Sequence, residues 1–363
     1  LEGNILVKAE DLKIGDKIIS DTGTIEEVTN VAIFKTNKTV EIKVYGTNLY
    51  RFDFSWNHPL LVYGKGYVNA EDVLVNDYVA YPITRYSKDA KIIDVSELTN
   101  EWSFVDDEYI YYGKTAKAKT RRIKRFWSDT DLFYLYGVYA AEGSKHMKDS
   151  GIKLSGALAD KWDNEIERIF KEYDVVYSKE IVLPGGKNYR FYARPLRDIL
   201  TRLVPGDAKS KRFDISILDH SNSEKAIKRL LNGLIDGDGY YIRTADNRIK
   251  LGLHTTSEAL AFQTRVMFID LYCVSASVTA EKNLDKSVKA IHVTVNGKES
   301  SVIAKDFGYN IHYKNYVKDR KNSWSDGKYI YIRIKEVIIS DNEADIYAQQ
   351  VSGNHTFCVA MFA

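Results

Sequence analysis

Two acidic residues occupy unusual places in this sequence, each at the end of a segment whose apolar spacing predicts a helix. Glu142 ends one such segment in "YLYGVYAAEGSK", and Asp238 ends the other in "LLNGLIDGDGYY". The carboxyl end of a helix carries partial negative charge, which disfavours an anion and favours a cation. An acid that stands there beside glycine indicates a site that holds something positive.

The two segments correspond position by position: Gly137 aligns with Gly233, Ala141 with Gly237, and the two acids with each other. Positions four apart on a helix share one face. Small residues on that face let two helix backbones approach closely. We therefore predict two helices that abut through their glycines and bring the two acids side by side.

Two adjacent carboxylates raise each other's pKa unless a cation lies between them. Hard divalent cations take oxygen ligands, and Mg²⁺ keeps several waters. Such an ion activates water and stabilises the leaving oxygen of a phosphate ester. The pair predicts a Mg²⁺ site with Glu142 and Asp238 as ligands and the carbonyls of Ala141 and Gly237 as helpers. One such helix alone is more often core with a polar end, and the second copy favours the metal.

The order of predicted elements indicates an α+β protein. Short β-branched and aromatic runs fill residues 1–82, and the same texture returns from about residue 328. Between them, two similar helix–strand–strand–helix–strand units follow one another. "EDLKIGDKI" is echoed by "EDVLVNDYV", which fits a β-domain with two similar halves, although one short echo can also arise by chance. We predict a β-domain split by an inserted pseudo-duplicated domain, with the two β segments joining in space.

The two helix ends resemble the signature motifs of single-chain LAGLIDADG homing endonucleases. "LIDGDG" is close to the family pattern, and "VYAAEG" departs from it by using Glu for the first acid. The resemblance covers roughly residues 128–320 and implies a pseudo-twofold αββαββα unit. It also implies a monomer that grips double-stranded DNA with two antiparallel sheets. Such enzymes cut long asymmetric sites, leaving 3′ overhangs, with Mg²⁺ or Mn²⁺ as cofactor and Ca²⁺ as a non-cleaving substitute.

Basic and polar side chains alternate along the predicted strands, as expected of a sheet that contacts DNA. A solvated sheet shows the same pattern, so each residue alone decides little. The predicted DNA contacts are Lys145, Lys148, Lys153, Arg190, Arg194, Arg243, Arg248, Lys250, His254, His292, Lys318 and Arg320, with Lys119, Arg121 and Arg122 from a basic linker.

The resemblance further implies one basic residue from each half near the scissile phosphates. "GDAKSKRFDISIL" resembles the lysine-rich block of the family and offers Lys209 and Lys211, of which Lys211 is preferred. The mirror block "HYKNYVKDRK" offers Lys314 and Lys318, of which Lys314 is preferred. Any one of these lysines is otherwise a solvated surface residue.

The outer β segments resemble the Hint fold of inteins, the self-splicing domains that often carry such nucleases. "SWNHPLLV" matches the block whose histidine polarises the first scissile peptide, with His58 in that role and Ser55 where Thr is usual. The end of the sequence resembles the last intein block, with His355 as its first histidine. Since the first residue is Leu1 and the last is Ala363, we predict no splicing by the chain as given. Host extein sequences would flank it in the parent protein.

The predicted domains are a Hint-like part at 1–105, a basic linker at 106–127, the endonuclease at 128–322 with halves at 128–218 and 219–322, and a second Hint-like part at 323–363. Within the linker, "GKTAKAKTRRIKR" carries seven Lys and Arg and no acid. Such a run faces a polyphosphate or is simply solvated.

Composition bounds these interpretations. The chain has 363 residues, 44% hydrophobic residues and a net charge of only +2, so any anionic partner must be met by local charge. With no apolar run near 18 residues and only two cysteines, we expect a soluble intracellular protein of the cytoplasm, nucleoid or nucleus, with no membrane contact. The leading prediction is a metal-dependent site-specific DNA endonuclease of intein origin. The alternatives are a splicing intein with a degenerate nuclease and an RNA-splicing maturase.

Overall fold

The structure is a computed structural model and describes residues 9–49, 52–114, 121–145, 151–182, 184–214, 216–243, 249–283, 288–309 and 322–353, without the side chains of Ile25 and Arg243. Within these ranges no helix has the length and apolar character needed to cross a membrane.

Seven α-helices lie in the described residues. They are α1 (Asp129–Glu142), α2 (Trp162–Glu172), α3 (Arg194–Leu203), α4 (Ile217–His220), α5 (Glu224–Asp238), α6 (Glu258–Tyr272) and α7 (Gly297–Asp306). The sequence predicted α1, α2, α5 and α6. Of the others, α3 and α7 were implied only by the resemblance, as the last helix of each αββαββα unit, and α4 was not predicted.

The strands of the first part of the chain are β1 (Lys17–Ile19), β2 (Ile25–Thr36), β3 (Thr39–Val44), β4 (Phe52–Ser55), β5 (Pro59–Val62), β6 (Gly66–Asn69), β7 (Tyr78–Pro82), β8 (Ile92–Asp94), β9 (Phe104–Val105), β10 (Tyr109–Tyr111), β11 (Ile123–Lys124) and β12 (Phe126–Ser128). The later strands are β13 (Gly143–Lys145), β14 (Ile152–Ala157), β15 (Tyr177–Val182), β16 (Gly186–Phe191), β17 (Gly239–Arg243), β18 (Ile249–Thr255), β19 (Ser277–Lys282), β20 (Val288–Asn296), β21 (Ser323–Ser325), β22 (Tyr329–Ser340) and β23 (Ala344–Val351).

The predicted duplication is confirmed in the order of elements. A helix, two strands, a helix, two strands and a helix run from α1 to α3, and the same order runs from α5 to α7. The two four-stranded sheets also share one strand order, β13-β14-β16-β15 and β17-β18-β20-β19. The chain therefore contains an αββαββα unit twice over.

Backbone contacts cluster into two compact units. One comprises Leu1–Arg85, Tyr241–Leu251 and Ala261–Ala363, and the other comprises Tyr86–Tyr240 and Gly252–Leu260. We call them the outer unit and the inner unit. The domain boundaries given above remain a prediction.

In the outer unit the early and late β segments pair, as predicted. β2 pairs antiparallel with β23 along eight positions, and β22 pairs with both β3 and β7. Strand β22 thus lies inside a sheet of order β4-β3-β22-β7-β5-β6. Two parts of the chain almost 300 residues apart form one β-structure, which we call the split β-structure (β1–β7 with β22 and β23).

The sequence echo within the split β-structure is a structural repeat. Each copy has a short 3₁₀ turn, Ala9–Asp11 or Ala70–Asp72, followed by a residue with positive φ at Gly15 or Asn76. In each copy an aspartate then accepts a backbone N–H at 2.9 Å: Asp16 from Lys13, and Asp77 from Leu74. The echo therefore reflects two equivalent turns.

In the inner unit, α1 and α5 pack backbone to backbone. A side chain at Gly137 would collide with the carbonyl of Leu230, and one at Gly233 would collide with the carbonyl of Tyr134. The predicted contact through small residues is confirmed, because only glycine fits at both positions.

The amino-terminal ends of the same two helices are also joined. Asp129, at the start of α1 and fully buried, accepts hydrogen bonds from Ser221 Oγ at 2.7 Å and Ser223 Oγ at 2.9 Å. Ser223 is the N-cap of α5 and accepts the N–H of Ala226 at 3.0 Å. This contact fixes where the two helices begin relative to each other.

The stretch predicted as a linker carries secondary structure where it is described. β9, β10 and β11 form a three-stranded sheet, and β12 pairs with β8. Arg125 contributes an ion pair with Asp94 at 2.5 Å. A basic run does not reveal such pairing in advance, because the acidic partner lies about 30 residues upstream.

Candidate active site at the paired helix ends

Glu142 and Asp238 end their helices at the same point of the α1–α5 contact. Glu142 Cγ lies 3.2 Å, and Ala141 Cβ 2.5 Å, from the position that a Cβ on Gly237 would take. Glu142 is therefore next to the residue that precedes Asp238. Both helices end alike, since the N–H of Gly143 donates to Tyr139 O and the N–H of Gly239 to Ile235 O.

Both carboxyl groups are half-buried, and the pKa of each is raised above its ordinary value. Burial raises the pKa of Glu142 to about 8, and the nearby charges of Asp238 and Asp160 add to the rise. Burial raises the pKa of Asp238 to about 6, and the positive charge of Lys211 opposes that rise. Among the described residues, no lysine or arginine forms an ion pair with either carboxylate.

Lys211 is the candidate lysine that the structure places at this site. Its side chain is buried, and its Nζ donates to Gly143 O at 2.5 Å and Tyr139 O at 3.1 Å. It thus satisfies carbonyls at the carboxyl end of α1, where a cation is favoured. Burial lowers the pKa of Lys211, while Asp238 and Glu142 oppose that change.

The loop before α4 holds Lys211 in place. Asp207 accepts hydrogen bonds from the N–H groups of Lys209 and Ser210, and the carbonyl of Lys211 accepts from Ser257 Oγ at 2.6 Å. Lys209, the other candidate of this block, is exposed. The structure therefore distinguishes Lys211, which is buried at the site, from Lys209, which is exposed; the sequence alone does not show this difference in position.

Asp236, the other acid near the end of α5, has a structural role. It accepts hydrogen bonds from Tyr134 Oη at 2.9 Å and Asn232 Nδ2 at 3.1 Å. Arg229 lies 4.2 Å from the centre of the Tyr134 ring and pairs with Glu165 on α2. Asp236 therefore belongs to a network that ties α5 to α1 and α2.

The donor set at the helix ends fits a hard divalent cation. Two carboxylates with raised pKa values lie at the negative ends of two packed helices, where added positive charge is favoured. Among the described residues, no group of three or more His, Cys, Asp and Glu side chains is arranged to hold a metal by itself. Such an ion would keep water ligands or take substrate oxygens.

Two charged residues near this site were not predicted from the sequence. The charge of Asp160 raises the pKa of both Glu142 and Asp238, and the charge of Lys187 lowers that of Glu142. Asp160 precedes α2 and resembles an ordinary acid at a helix start. Lys187 follows two glycines at the start of β16 and resembles a solvated lysine, yet it shares the buried face of Tyr189 and Phe191 and is only 1% exposed.

One face of the sheet beside α1 is polar, as predicted for a DNA-contacting surface. Lys153 pairs with Ser144 on one side and Arg190 on the other, and Arg190 pairs with Ser178. These four side chains form a row across all four strands, opposite to the face that buries Ile152, Leu154, Tyr189 and Phe191. Arg190 also forms an ion pair with Glu180 at 3.1 Å.

Two predicted DNA contacts of the first half lie elsewhere. Lys145 pairs with Ile152, so this exposed lysine belongs to the other face of the sheet. Arg194 was predicted as a continuation of β16, but it begins α3, because Pro195 favours the first turn of a helix. Its Nε pairs with Glu101 at 2.7 Å, and its guanidinium lies 3.8 Å from the centre of the Tyr112 ring.

The described candidates of the second half follow the predicted strand alternation. Lys250 and His254 alternate with buried Ile249, Leu251 and Leu253 along β18. His292 alternates with buried Ile291 and Val293 on β20 and lies 3.5 Å from Glu281.

Arg121 and Arg122 stack on tyrosines, 4.9 Å from the ring centre of Tyr192 and 3.9 Å from that of Tyr109. The remaining candidates are outside the described residues: Lys119, Lys148, Arg248, Lys314, Lys318, Arg320 and His355, with the side chain of Arg243.

His58 lies in the turn between β4 and β5 of the split β-structure. Its N–H donates to Ser55 O at 3.0 Å, and its ring stacks on Phe54 with centroids 5.0 Å apart. Burial lowers the pKa of His58, which favours the neutral imidazole. Ser55 ends β4, opposite Thr39.

Comparisons with known proteins give distant similarities. No protein-family model matches the chain. The chain is 24% identical over 396 residues to the ATP-dependent DNA helicase Hel308 of Thermococcus kodakarensis. The match covers 97% of this chain and 34% of the helicase, so the chain spans about a third of the length of that relative.

Two solved structures are among those that overlap with this chain. The N-terminal LAGLIDADG domain of DUF199/WhiA overlaps with a TM-score of 0.36 and 13% identity, over 50% of this chain and 84% of that domain. I-DmoI in complex with DNA and Mn overlaps with a TM-score of 0.36 and 11% identity, over 51% of this chain and 98% of that chain. Each overlap takes in about half of this chain.

Replacing Glu142 by Gln should remove a pH-dependent loss of stability. The ordinary pKa of a glutamate is 4.5, and the fold raises that of Glu142 to about 8. Without divalent cations the wild-type protein therefore loses stability as the pH rises from 4.5 to about 8, and the loss is complete above that range. One pKa unit corresponds to about 1.4 kcal/mol. At about pH 9 we expect the free energy of unfolding of the variant to exceed that of the wild-type protein by at least that amount. The measurement is urea unfolding in the presence of EDTA.

The matched control is Glu172→Gln, whose acid ends α2 with its side chain 59% exposed. This variant should follow the wild-type pH profile. An unchanged profile in Glu142→Gln would contradict the buried, protonated state assigned to Glu142.

Proposed function

We propose that this chain is a divalent-metal-dependent, site-specific DNA endonuclease of the LAGLIDADG type. The carrying observation is the position of Glu142 beside Gly237, which brings the acids of two equivalent helices to one place. Two half-buried acids that form no ion pair within the described part of the chain are costly for a fold. A function that supplies a cation explains why the chain has both.

Each residue of the proposed site has a distinct task. Glu142 and Asp238 hold the divalent cation, which when bound would activate water and stabilise the leaving oxygen of the phosphodiester. Lys211 keeps positive charge beside both acids and favours a phosphate near them. The glycine contacts between α1 and α5 fix the spacing of the two acids, so no rearrangement is needed at the moment of reaction.

The polar row on the sheet beside α1 supports double-stranded DNA as substrate. Lys153 and Arg190 supply positive charge for phosphates, and Ser144 and Ser178 supply hydroxyls for phosphate or base edges. The chain as a whole has a net charge of only +2, so this local arrangement, together with the basic segment that contains Arg121 and Arg122, provides the attraction. We propose a monomer as the active form.

The similarity to the DNA helicase Hel308 suggests helicase activity as a second candidate function. A P-loop for ATP has the pattern G-x-x-x-x-G-K-[ST], in which the first glycine shapes the phosphate cradle. The Gly-Lys-Thr at 113–115 of this chain has Glu108 where that glycine would stand. The nuclease proposal therefore accounts better for the residues of this segment.

Asp238→Asn should bind the target DNA but not cut it. The amide cannot supply the anionic oxygens that hold the cation, and loss of such a ligand removes several kcal/mol of transition-state stabilisation. That corresponds to a rate lower by about 1,000-fold. The measurement is cleavage with Mg²⁺ of a site obtained by in vitro selection from a random DNA library.

Asp236→Asn is the matched control, because Asp236 lies on the same helix and bonds to Tyr134 and Asn232 instead. We expect it to cut within about tenfold of wild type. Cleavage by Asp238→Asn at the wild-type rate would remove Asp238 from the mechanism.

DNA binding should weaken as the salt concentration rises, and Lys153 should contribute to the slope of log affinity against log salt concentration. Each phosphate contact adds about 0.9 to the slope of log affinity against log salt concentration. We expect Lys153→Ala to lower that slope by about one. Lys179→Ala, which removes an equal charge from the opposite face of the same sheet, should leave it unchanged. The readout is fluorescence anisotropy with Ca²⁺, and equal slopes for both variants would contradict the proposed DNA face.

We also propose an intein-like origin for the split β-structure. Its two equivalent turns and the pairing of early with late strands support a Hint-like domain interrupted by the nuclease. The alternative function is then protein splicing with a nuclease that only binds DNA.

A fusion that supplies Cys before Leu1 and His-Asn-Cys after Ala363, between two reporter proteins, should yield ligated reporters. His58→Ala should slow ligation by about 100-fold, and adjacent Asn57→Ala should not. The absence of ligated reporters from the fusion that retains His58 would contradict the splicing alternative.

A further inference from the structure

Asp160 lies at the edge of the proposed metal site. β13 follows Glu142 directly, and its first residue, Gly143, pairs with Leu154 on β14. Ser155 and Gly156 come next on β14, on the side of the pairing toward which α1 ends. Asp160 Oδ2 lies 2.5 Å from the position that a Cβ on Gly156 would take. The turn after β14 thus returns a third carboxylate toward the two helix ends.

A buried lysine holds this turn in place. Lys187 donates from Nζ to the main-chain oxygen of Asp160 at 2.8 Å and forms an ion pair with Asp163 at 3.3 Å. It therefore fixes the backbone of Asp160 and leaves the carboxylate for other contacts. Among the described residues, the Asp160 carboxylate accepts one hydrogen bond, from the N–H of Ala157 at 2.5 Å.

A buried hydrogen-bond donor points to the same place. Trp162 is fully buried, and its Nε1 has no hydrogen-bond partner among the described residues. This nitrogen lies 3.0 Å from the same Cβ position at Gly156. A donor and a carboxylate acceptor thus lie together against Gly156, where a side chain would collide with both residues. Buried N–H groups are normally satisfied, so this donor points to a ligand or water.

We infer that Asp160 is a third carboxylate of the site and contacts the divalent cation through a water molecule to which Trp162 Nε1 donates. Lys187 is the positioning residue that holds Asp160. The inference rests on the proposed metal site of Glu142 and Asp238 and extends it. A water-mediated contact agrees with the need of Mg²⁺ to keep several waters. It also agrees with the absence, among the described residues, of three such side chains arranged to bind metal directly.

Terbium luminescence tests this arrangement without relying on cleavage. Tb³⁺ replaces divalent cations at oxygen sites and emits when a nearby tryptophan is excited. Since Trp162 lies beside the proposed site, we expect emission from the wild-type protein, and its loss in Trp162→Phe. Calorimetry with Mn²⁺ reports affinity independently of the tryptophan. Removal of an outer-shell group typically weakens metal binding about 10–100-fold, and we expect that loss in Asp160→Asn.

Two further variants separate a metal-linked role from a structural one. Asp89→Asn removes an exposed acid of the inner unit and should bind Mn²⁺ as wild type does. Asp160→Glu keeps the carboxylate on a longer stem and should recover part of the affinity lost in Asp160→Asn. Equal losses in both Asp160 variants would indicate a structural role and overturn the inference.

Failure of this inference differs from failure of the proposed function. Wild-type Mn²⁺ affinity and Tb³⁺ emission in Asp160→Asn, with weak binding in Glu142→Gln, would remove Asp160 and keep the two-acid site. Wild-type affinity in Glu142→Gln and Asp238→Asn would remove the metal site itself. Weak binding in all three variants, with partial recovery in Asp160→Glu, is the expected result.

Discussion

The close approach of α1 and α5 is the contact on which the site depends. Gly137 and Gly233 face the backbone of the opposite helix, and any side chain at either position would push the helices apart. At the other end, Asp129 bonds to the serine that caps α5 and fixes the register. The acids at the helix ends need no individual support to meet, because their separation is set by two helix backbones in contact.

This contact also produces the unusual charge state of the site. The glycines bring two negative helix ends together, and burial then raises the pKa of Glu142 and Asp238. Lys211 offsets part of this by bonding the carbonyls at the end of α1 instead of neutralising an acid directly. The fold is therefore least stable when both carboxyl groups are ionised and no cation is bound. A bound cation would favour the ionised state, so metal binding and deprotonation are coupled.

Sequence patterns predicted the parts of the molecule that depend on local or repeated signals. The duplicated helix ends gave the α1–α5 contact, and β-branched alternation gave most strands of the split β-structure. Helices α3 and α7 showed no separate pattern, because each follows a strand after at most two residues, and only the family resemblance implied them. Lys187 was missed because a buried lysine depends on partners such as Asp163, which only the tertiary fold brings near it. Lys211 could be named from resemblance, but its burial could not.

The interleaved order of the chain has a consequence for biosynthesis. Most of the inner unit is a single continuous stretch, Tyr86–Tyr240, whereas the outer unit needs strands from both sides of it. A ribosome delivers β22 and β23 after the inner unit, and until then β2, β3 and β7 each lack one neighbouring strand. Segments that complete their contacts early fold early, and distant strand pairs close slowly. The nascent chain would thus acquire its paired helices before the split β-structure is complete, and chaperone protection would matter most for the early strands β2, β3 and β7.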